Sequence, residues 1–325
     1  MTQAVPHRRL GRSGLSVSAL CLGTMNFGPR TPEREAFEIL GRALDAGIDF
    51  IDTANQYGGA LGVGTTEAML GRWFAEDRTR QDRVVLATKV HEPMAAGAND
   101  RGLSARHIRM ACDASLKRLG VEHIDLYQMH HIDRAVPIEE IWEAMDRLMA
   151  QGKITYVGSS NFPGWAIARA NEKAHAGQRL GLVAEQSLYN LVERRVELEV
   201  IPACRHYGLG LIPWSPLAGG LLGGPAGAGD GRRGSAGVSS ARQSRALQLD
   251  RFEALCATLG ESPPAIALAW LLHQPAVAAT IIGPATIGQL DAVLHVPSIV
   301  LDADVLGRID EIFPPCGEAP EAYAW

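Results

Sequence analysis

Asp52 and Tyr57, two residues that can take part in proton transfer, stand close together in the segment GIDFIDTANQYGGA (residues 47–60). Asp52 closes an apolar run typical of a buried strand, and Tyr57 follows in a turn that contains two glycines. Two further ionisable residues mark the ends of similar runs, because Lys89 closes VVLATK and His130 directly follows IDLYQM. A phenol beside an ammonium, a carboxylate and an imidazole can deliver a proton to a reacting group.

Each of these four residues also has a common structural role. A strand-end Asp often caps a turn, a lone Lys is usually a solvated charge, and His and Tyr often complete a packed core. The combination favours chemistry, because a lysine that ends an apolar strand needs a carboxylate partner and Asp52 on the neighbouring strand can supply it. A nearby ammonium lowers the pKa of a phenol, so we predict that Lys89 lowers the pKa of Tyr57 and that Tyr57 donates a proton.

The pattern of the chain predicts how these strand ends come together. Eight short apolar runs alternate with amphipathic segments, several of which begin with a Ser or Thr cap or a first-turn proline. The predicted strands span residues 18–23, 48–52, 84–89, 124–129, 154–158, 182–186, 209–214 and 279–283, and predicted helices span 31–47, 65–75, 104–119, 137–151 and 163–176. Strands that are apolar almost throughout indicate a parallel sheet buried on both faces, and closure into a barrel leaves such a sheet without edges.

We therefore predict one α/β domain over residues 1–325, a (β/α)8 TIM barrel with an N-terminal β-hairpin in HRRLGRSGLSVS and an extra C-terminal helix over 302–313. A doubly wound sheet is the alternative, but CLGTMNFG lacks the GxGxxG spacing that typically follows its first strand. Residues 217–248 interrupt the pattern, because they are rich in Gly, Ala and Ser. Two interpretations stay open for this segment, a surface loop and a lid over a bound cofactor.

The composition is that of an ordinary globular protein, with 46% hydrophobic residues, 21% charged residues and a formal net charge of -5 over 325 residues. This balance favours a small-molecule ligand over a nucleic acid. The five cysteines have no metal-ligand spacing, and no apolar run is long enough to span a bilayer. We expect no bound metal, no membrane insertion and a cytoplasmic location, and we leave open whether the chain forms a homo-oligomer.

Along nearly its whole length the sequence resembles the aldo-keto reductase family, barrel enzymes that reduce carbonyl groups with a nicotinamide cofactor. The segments that carry the resemblance are RLGRSGLSVSALCLGTMNFG, GIDFIDTANQYG, ATKV, DLYQMH, VGSSNF, EQSLYN, PWSPLAGGLL and IIGPATIGQL. The resemblance implies that Asp52, Tyr57, Lys89 and His130 form a catalytic tetrad. Tyr57 would be the general acid, Lys89 with Asp52 would adjust its pKa, and His130 would orient the carbonyl. His131 is a rival, but the D-x-Y-x-x-H spacing selects His130.

The same resemblance implies that the chain binds NADP, as NADPH, and a small carbonyl substrate. Ser160, Asn161 and Gln186 would hold the nicotinamide carboxamide, and Trp214 would stack on the nicotinamide ring. The residues that match the family's cofactor contacts are Gly23, Thr24, Met25, Asp52, Ser160, Asn161, Gln186, Trp214, Ser215, Pro216, Leu217, Gly219, Ile282, Gly283, Thr286 and Gln289.

The last of these segments departs from the family's pattern. Relatives that prefer NADP often carry a basic residue where Ala285 stands, followed by acidic and amide residues where Ala292 and Val293 stand. Recognition of the 2′-phosphate would then depend on Thr286, on backbone N–H groups at a helix start, or on Arg245 from the 217–248 segment. We therefore expect this chain to prefer NADPH over NADH less strongly than relatives that carry a basic residue at this position.

Two other functions fit parts of the pattern. Lys89 could form a Schiff base in a barrel lyase, although an ammonium paired with Asp52 is a poor nucleophile. The resemblance also allows a redox-sensing regulatory subunit that keeps its cofactor bound. The loops HEPMAAGANDRG and HIDRAVP and the C-terminal tail are expected to shape the substrate pocket. The segments NQYGGALGVGTTEAMLGRWFA and PWSPLAGGLL are similar to the bacterial branch with NDP-hexose keto and 2,3-enoyl reductases, which makes a nucleotide-linked ketosugar one candidate substrate.

Overall fold

The computed structural model describes residues 5–224 and 235–324. Two antiparallel strands, β1 (His7–Arg9) and β2 (Ser16–Ser18), form the N-terminal hairpin. Eight further strands form one parallel sheet: β3 (Leu20–Gly23), β4 (Phe50–Asp52), β5 (Val85–Val90), β6 (Ile124–Met129), β7 (Ile154–Ser160), β8 (Leu182–Leu188), β9 (Gly210–Trp214) and β10 (Thr280–Ile282). All eight strands predicted from the apolar runs are present, and their ends differ from the predicted ends by a few residues.

The sheet curves into a nearly closed barrel, with the spatial order β10-β3-β4-β5-β6-β7-β8-β9. Its two outer strands meet through the segment before β10, where the N–H of Leu211 donates to Ala276 O at 2.8 Å and the N–H of Ala278 donates to Leu211 O at 2.9 Å. Closure of the ring satisfies edge groups that an open sheet would expose. The predicted (β/α)8 TIM barrel is confirmed.

The hairpin closes one end of the barrel. Leu10 and Val17 are fully buried and belong to the same core cluster as Phe50, Leu126 and other inward-facing residues of the barrel strands. Hydrogen bonds between the Ser18 and Asp49 segments place the hairpin at the end where the strands begin. The opposite end, where the strands finish, is therefore the one left open to a ligand.

Helices cover the outside of the barrel, and most of them bury apolar residues in the core. They are α1 (Glu33–Asp45), α2 (Thr65–Glu76), α3 (Thr79–Arg83), α4 (Ala105–Leu119), α5 (Ile138–Ala150), α6 (Gly164–Ala176), α7 (Val200–Tyr207), α8 (Ala236–Ser244), α9 (Ala246–Leu259), α10 (Pro263–Leu272), α11 (Ile287–Asp291), α12 (Ala303–Ile312) and α13 (Glu321–Ala324). The predicted caps operate locally: the Ser104 hydroxyl accepts from the N–H of His107, and α4 ends at Gly120 with a φ of 65°.

The prediction of an irregular segment over 217–248 is wrong for much of its described part. Residues 236–244 form α8 and residues 246–248 open α9, while residues 225–234 lie outside the described residues. Helix α8 begins because the Ser235 hydroxyl accepts from the N–H of Val238, and it buries no residue. A polar helix without a buried face has no apolar periodicity, which is why the sequence pattern did not indicate it.

Among the helices of the described residues, none by itself is long and apolar enough to cross a membrane. Only α9 and α10 reach that length and composition together, and the two are bent by 86° relative to each other.

Candidate active site

The barrel strands bring Asp52, Lys89 and His130 to the open end. Asp52 is the last residue of β4, Lys89 is next to last in β5, and His130 directly follows β6. Parallel pairing sets Asp52 opposite Ala87 and Lys89 opposite Gln128. The carboxyl ends of barrel strands are where TIM barrels carry their functional groups.

Lys89 and Asp52 form a buried ion pair. The Lys89 ammonium lies 2.6 Å from Asp52 Oδ2 and also donates to Thr53 O at 2.8 Å, and the lysine side chain is fully buried. Burial by itself lowers the pKa of Lys89, but the charge and hydrogen bonds of Asp52 and Tyr57 raise it, and the net shift is upward. Lys89 is therefore an ammonium ion at neutral pH, which is the form that cannot attack a carbonyl.

Tyr57 reaches this ion pair from the loop after β4. Its Oη accepts a hydrogen bond from the Lys89 ammonium at 3.3 Å, and the ammonium lies 5.0 Å from the centre of the tyrosine ring. The loop turns back at Gly58, whose φ is 152°, and an added Cβ there would lie 1.9 Å from Gly62 O. The residue after Tyr57 must therefore be glycine for the loop to hold the phenol over the strand ends.

The pKa of Tyr57 is shifted in the direction opposite to our expectation. Burial raises the pKa of Tyr57, the Lys89 charge lowers it and the Asp52 charge raises it, and the net shift is upward. Burial has the largest effect, and the Asp52 carboxylate opposes the effect of the Lys89 ammonium. Tyr57 is consequently a neutral phenol at neutral pH, and it keeps the proton that a general acid must donate.

His130 is the histidine that lies next to Tyr57. The two rings meet edge to face with centroids 6.0 Å apart. Burial, reinforced by the Lys89 charge, lowers the pKa of His130 to about 2, so its imidazole is neutral. His130 Nδ1 is buried without a hydrogen-bond partner among the described residues. A neutral imidazole carries one N–H and can donate it to a carbonyl oxygen.

His131 has a different environment. Its ring stacks on that of His130 with centroids 5.1 Å apart, and its Nε2 lies 3.1 Å from Glu92 Oε1. His91 also approaches this carboxylate, with Nδ1 at 3.4 Å from Glu92 Oε1. In the part of the chain that the structure describes, no group of three or more His, Cys, Asp or Glu side chains could hold a metal ion.

Comparison with protein families identifies the family to which this chain belongs. The model of the "Aldo/keto reductase family" matches residues 19–313. The chain belongs to the aldo/keto reductase family. It is 51% identical to the uncharacterized oxidoreductase YrpG of Bacillus subtilis (strain 168), over 97% of this chain and 98% of that protein. It is 32% identical to versiconal hemiacetal acetate reductase of Aspergillus parasiticus, over 95% and 97% respectively. It is also 31% identical to a probable voltage-gated potassium channel subunit beta of Arabidopsis thaliana, over 98% and 99%.

In this member of the aldo/keto reductase family, the buried Asp52 carboxylate is also bonded by Gln128, which the sequence analysis did not select. The amide nitrogen of Gln128 donates to Asp52 Oδ1 at 3.0 Å. Gln186, which we expected to hold the cofactor, donates to the same oxygen at 2.9 Å. Asp52 thus has one oxygen on Lys89 and the other on two amides. The signal for Gln128 was available, since it is a polar side chain near the end of the apolar run IDLYQM.

Glu185 is a second buried residue that the sequence analysis did not select. Its carboxylate accepts hydrogen bonds from the hydroxyls of Ser159 and Ser187 and from the N–H of Phe162. These partners surround Ser160 and Asn161, so Glu185 fixes the turn that ends β7. Burial raises the pKa of Glu185 to about 7, against the lowering effect of these hydrogen bonds. An acidic residue inside the apolar run LVAEQ was the available signal.

Asn161 joins the predicted cofactor residues into one rim. Its amide nitrogen donates to His130 O at 3.1 Å and to Ser160 Oγ at 2.9 Å, and its amide oxygen accepts from Trp214 Nε1 at 3.1 Å. Asn161 has a φ of 58°, a left-handed conformation that asparagine tolerates better than most residues. The network holds the half-buried indole of Trp214 beside the end of β7.

The remaining predicted cofactor residues lie on two loops at the same end of the barrel. After β9, Ser215 adopts a φ of 54°, its carbonyl accepts from Asn190 Nδ2 at 3.0 Å, and Gly219 follows with a φ of 69°. The residues of this loop are Ser215, Pro216, Leu217 and Gly219; those of the neighbouring wall, at and after the ends of β3 and β10, are Gly23, Thr24, Met25, Ile282, Gly283, Thr286 and Gln289.

The neighbouring wall is joined to the candidate active site. The N–H and the hydroxyl of Thr24 both donate to Asp52 O at 3.0 Å. Thr286 begins α11, where its hydroxyl accepts from the N–H of Gln289, and the Gln289 amide oxygen accepts from the N–H of Ala285 at 2.8 Å. Thr286, the side chain predicted to contact the 2′-phosphate, therefore stabilises its own turn in this structure.

Arg245 is not brought to this turn by a hydrogen bond. Its guanidinium donates to Gln248 Oε1 at 3.2 Å and lies near the Glu193 carboxylate. Arg245 lines a recess of about 310 Å³ together with residues 191–195 and the segment after α12. In the described ranges 5–224 and 235–324, no hydrogen bond or ion pair joins Arg245 to Thr286 or Gln289.

Proposed function

We propose that this chain is an NADPH-dependent reductase that converts an aldehyde or ketone to the alcohol, with Tyr57 as the general acid. One observation carries the proposal: the Lys89 ammonium lies 2.6 Å from Asp52 Oδ2 and 3.3 Å from Tyr57 Oη in a buried site. A phenol in this position can release its proton because the ammonium next to it stabilises the phenolate that remains.

The catalytic residues have separable roles in this proposal. Bound NADPH would supply the hydride that reduces the carbonyl carbon. Tyr57 donates its phenolic proton to the carbonyl oxygen, and Lys89 stabilises the resulting phenolate. His130, which is neutral because the pKa of its imidazole is lowered to about 2, orients the carbonyl by donating its N–H. Asp52 keeps Lys89 charged and in place through their ion pair.

The residues present fit a dinucleotide. We propose that Ser160, Asn161 and Gln186 hold the carboxamide and that Trp214 stacks on the nicotinamide ring. The half-buried indole supports this placement, because a hydrogen bond to Asn161 fixes the ring at the rim. We also propose that the loop after β9 holds the pyrophosphate at Ser215, Leu217 and Gly219; an added Cβ at Gly219 would meet nothing within 4 Å.

The substrate class that we propose is a small aldehyde or ketone, with a nucleotide-linked ketosugar as one member. The loops that we expect to shape the pocket, residues 91–102 and 131–137, follow the strands of Lys89 and His130 and contribute residues to one cleft, which supports this proposal. We also propose a cytoplasmic location, because all five cysteines are free thiols, as is usual in a reducing compartment.

Among the relatives, the channel beta subunits favour a second candidate function, a regulatory subunit with a tightly held cofactor. The complete set of Asp52, Tyr57, Lys89 and His130 favours the enzyme, because a pure binding subunit has no use for a proton donor. The Schiff-base alternative is disfavoured by the 2.6 Å ion pair of Lys89.

A cofactor-oxidation assay tests the proposal. The purified protein is supplied with NADPH or NADH and with separate aldehydes, ketones and a nucleotide ketosugar, and loss of the reduced cofactor is followed. We expect turnover with at least one carbonyl compound and faster turnover with NADPH. A chain that oxidises neither cofactor with any carbonyl, yet retains bound cofactor through gel filtration, would be the regulatory subunit. Borohydride trapping with substrate is expected to leave Lys89 unmodified, and a covalent adduct there would indicate the lyase.

A further inference from the structure

A cleft of about 640 Å³ lies between the loops that follow β5 and β6, the strands that bring Lys89 and His130 to the open end; none of the four proposed catalytic residues lines it. Its walls are the loop after β5, from His91 to Ser104, and the loop after β6, from Ile132 to Val136. The His91 ring packs edge to face against His131 at 5.5 Å between centroids, and His131 stacks on His130. One lining residue, His91, is thus connected to His130 through the ring of His131, and the cleft volume lies within the range of about 300–1,000 Å³ typical of small-molecule sites.

The two acidic residues of this cleft are already used by the loops themselves. Asp133 accepts the N–H of Leu103 at 3.0 Å with one oxygen and the N–H of Ala135 at 3.0 Å with the other. Glu92 lies 3.1 Å from His131 and 3.4 Å from His91. Both carboxylates therefore hold the cleft in shape, and neither is paired with an arginine.

Two arginines of the cleft have no such partner. Arg101 and Arg134 both line the cleft and both are exposed. Within residues 5–224 and 235–324, neither guanidinium makes a hydrogen bond or an ion pair, whereas Arg72 and Arg179 at other exposed or half-buried sites are paired with carboxylates. A guanidinium offers donors in a planar fork that matches the oxygens of a carboxylate or a phosphate.

We infer that Arg101 and Arg134 bind an anionic group of the carbonyl substrate, either a carboxylate or a phosphate. The inference deepens the proposed reductase function and rests on it, because it assigns a substrate class to the same site. The overall charge of the protein is -5, so the molecule as a whole does not attract an anion. Binding therefore has to come from local charge; of the two arginines and two carboxylates that line this cleft, only the arginines have no partner among the described residues.

Matched pairs of substrates test the inference. One pair is butanal and succinic semialdehyde, which differ by a carboxylate, and the other is glyceraldehyde and glyceraldehyde 3-phosphate. For the wild-type protein we expect kcat/KM to be higher for the anionic member of at least one pair. Which pair shows the difference distinguishes a carboxylate from a phosphate.

The double variant R101Q/R134Q should lose this preference. A hydrogen bond to a charged group typically changes affinity by about 10-fold, so kcat/KM for the preferred anionic substrate should fall by roughly 10- to 100-fold. The neutral member should change by less than about 3-fold. The matched control is R106Q, since Arg106 is exposed, has no partner among the described residues and does not line the cleft.

The outcomes separate this inference from the proposed function. An equal loss for both members of a pair, or no anionic preference in the wild-type protein that reduces neutral carbonyls, would overturn the anion site and leave the reductase standing. If no carbonyl is reduced, the proposed function fails, and calorimetric binding of inorganic phosphate and succinate still tests the cleft. Binding that R101Q/R134Q abolishes and R106Q retains would support the site, and absence of binding would overturn it.

Discussion

At the scale of single residues, the Asp52 carboxylate joins three side chains of the candidate active site. Lys89 bonds one of its oxygens at 2.6 Å, and Gln128 and Gln186 bond the other at 3.0 and 2.9 Å. The proposed acid Tyr57 therefore lies next to the buried ion pair of Lys89 and Asp52.

The substitution Tyr57→Phe tests the proton donor. We expect fold and cofactor binding to be kept, because the ring still packs, and carbonyl reduction to fall by about 10²- to 10⁴-fold, because the phenolic proton is removed. The measurements are kcat with a reducible carbonyl and cofactor affinity by tryptophan fluorescence quenching. Turnover near that of the wild-type protein would remove Tyr57 from the mechanism.

At the scale of elements, the loop after β4 and the turn after β7 position the groups that react or bind. The first turns back at Gly58, and the second is held by the Glu185 carboxylate through Ser159 and the N–H of Phe162. Gly58 and Glu185 can each be substituted without replacing a residue that is proposed to contact the substrate.

Gly58→Ala should disturb the loop that carries Tyr57. The new Cβ would lie 1.9 Å from Gly62 O, and the resulting shift of the phenol should lower kcat/KM by about 10²-fold. The matched control is Gly62→Ala, since Gly62 also has a positive φ, 98°, but an added Cβ there meets nothing within 4 Å. Similar activity losses in the two variants would indicate that backbone strain, and not the clash, controls the loop.

Glu185→Gln should change how stability depends on pH. Burial raises the pKa of Glu185 from 4.5 to about 7, so the folded protein keeps a proton that the unfolded chain loses. The contribution of Glu185 to stability is therefore fully present below pH 4.5 and is lost as the pH rises to about 7. Unfolding in urea at pH 5 and at pH 8 should show Glu185→Gln gaining a few kcal/mol relative to the wild-type protein over that range. A constant difference between the two proteins at both pH values would contradict the assignment.

At the scale of the whole molecule, the two ends of the barrel have different composition. The hairpin and the apolar inner core close the end where the strands begin, and polar side chains from strand ends far apart in the chain gather at the other. The wall formed by the segment from Gly283 to Gln289 belongs to this open end, where Asn26 Nδ2 donates to Gly283 O at 2.8 Å.

We expect this chain to bind NADPH more tightly than NADH. The preference should be weak, because position 285 carries an alanine and not a basic residue. Ala285→Arg should increase the ratio of NADPH to NADH affinity by about 10-fold, because it adds a charge-assisted hydrogen bond. The backbone bonds of Ala285 to Thr31 and Gln289 do not involve its side chain. Ala285→Gln, a neutral control, should change the ratio little. Equal affinity of the wild-type protein for both cofactors would defeat the NADP assignment and leave the reductase assignment standing.

The sequence predicted the elements of the barrel well because their signals are local. Apolar runs, Ser104 at the start of α4 and Gly120 at its end act within a few residues of themselves. Helix α8 was missed because it has no buried face to create a periodic pattern. Glu185 was missed because an acid in an apolar run does not reveal the three donors that surround it.

The sequence by itself determined that Asp52, Tyr57, Lys89 and His130 lie at or just after strand ends. Apolar strand runs and turn glycines are patterns of neighbouring residues, so they can be recognised without the fold. Only the tertiary structure decided how they interact. The partners of Asp52 lie 37, 76 and 134 positions away in the chain, so no local pattern could assign both of its oxygens. The upward shift in the pKa of Tyr57 was likewise decided by the fold, because burial outweighs the neighbouring ammonium and the degree of burial depends on all the elements that pack around the phenol.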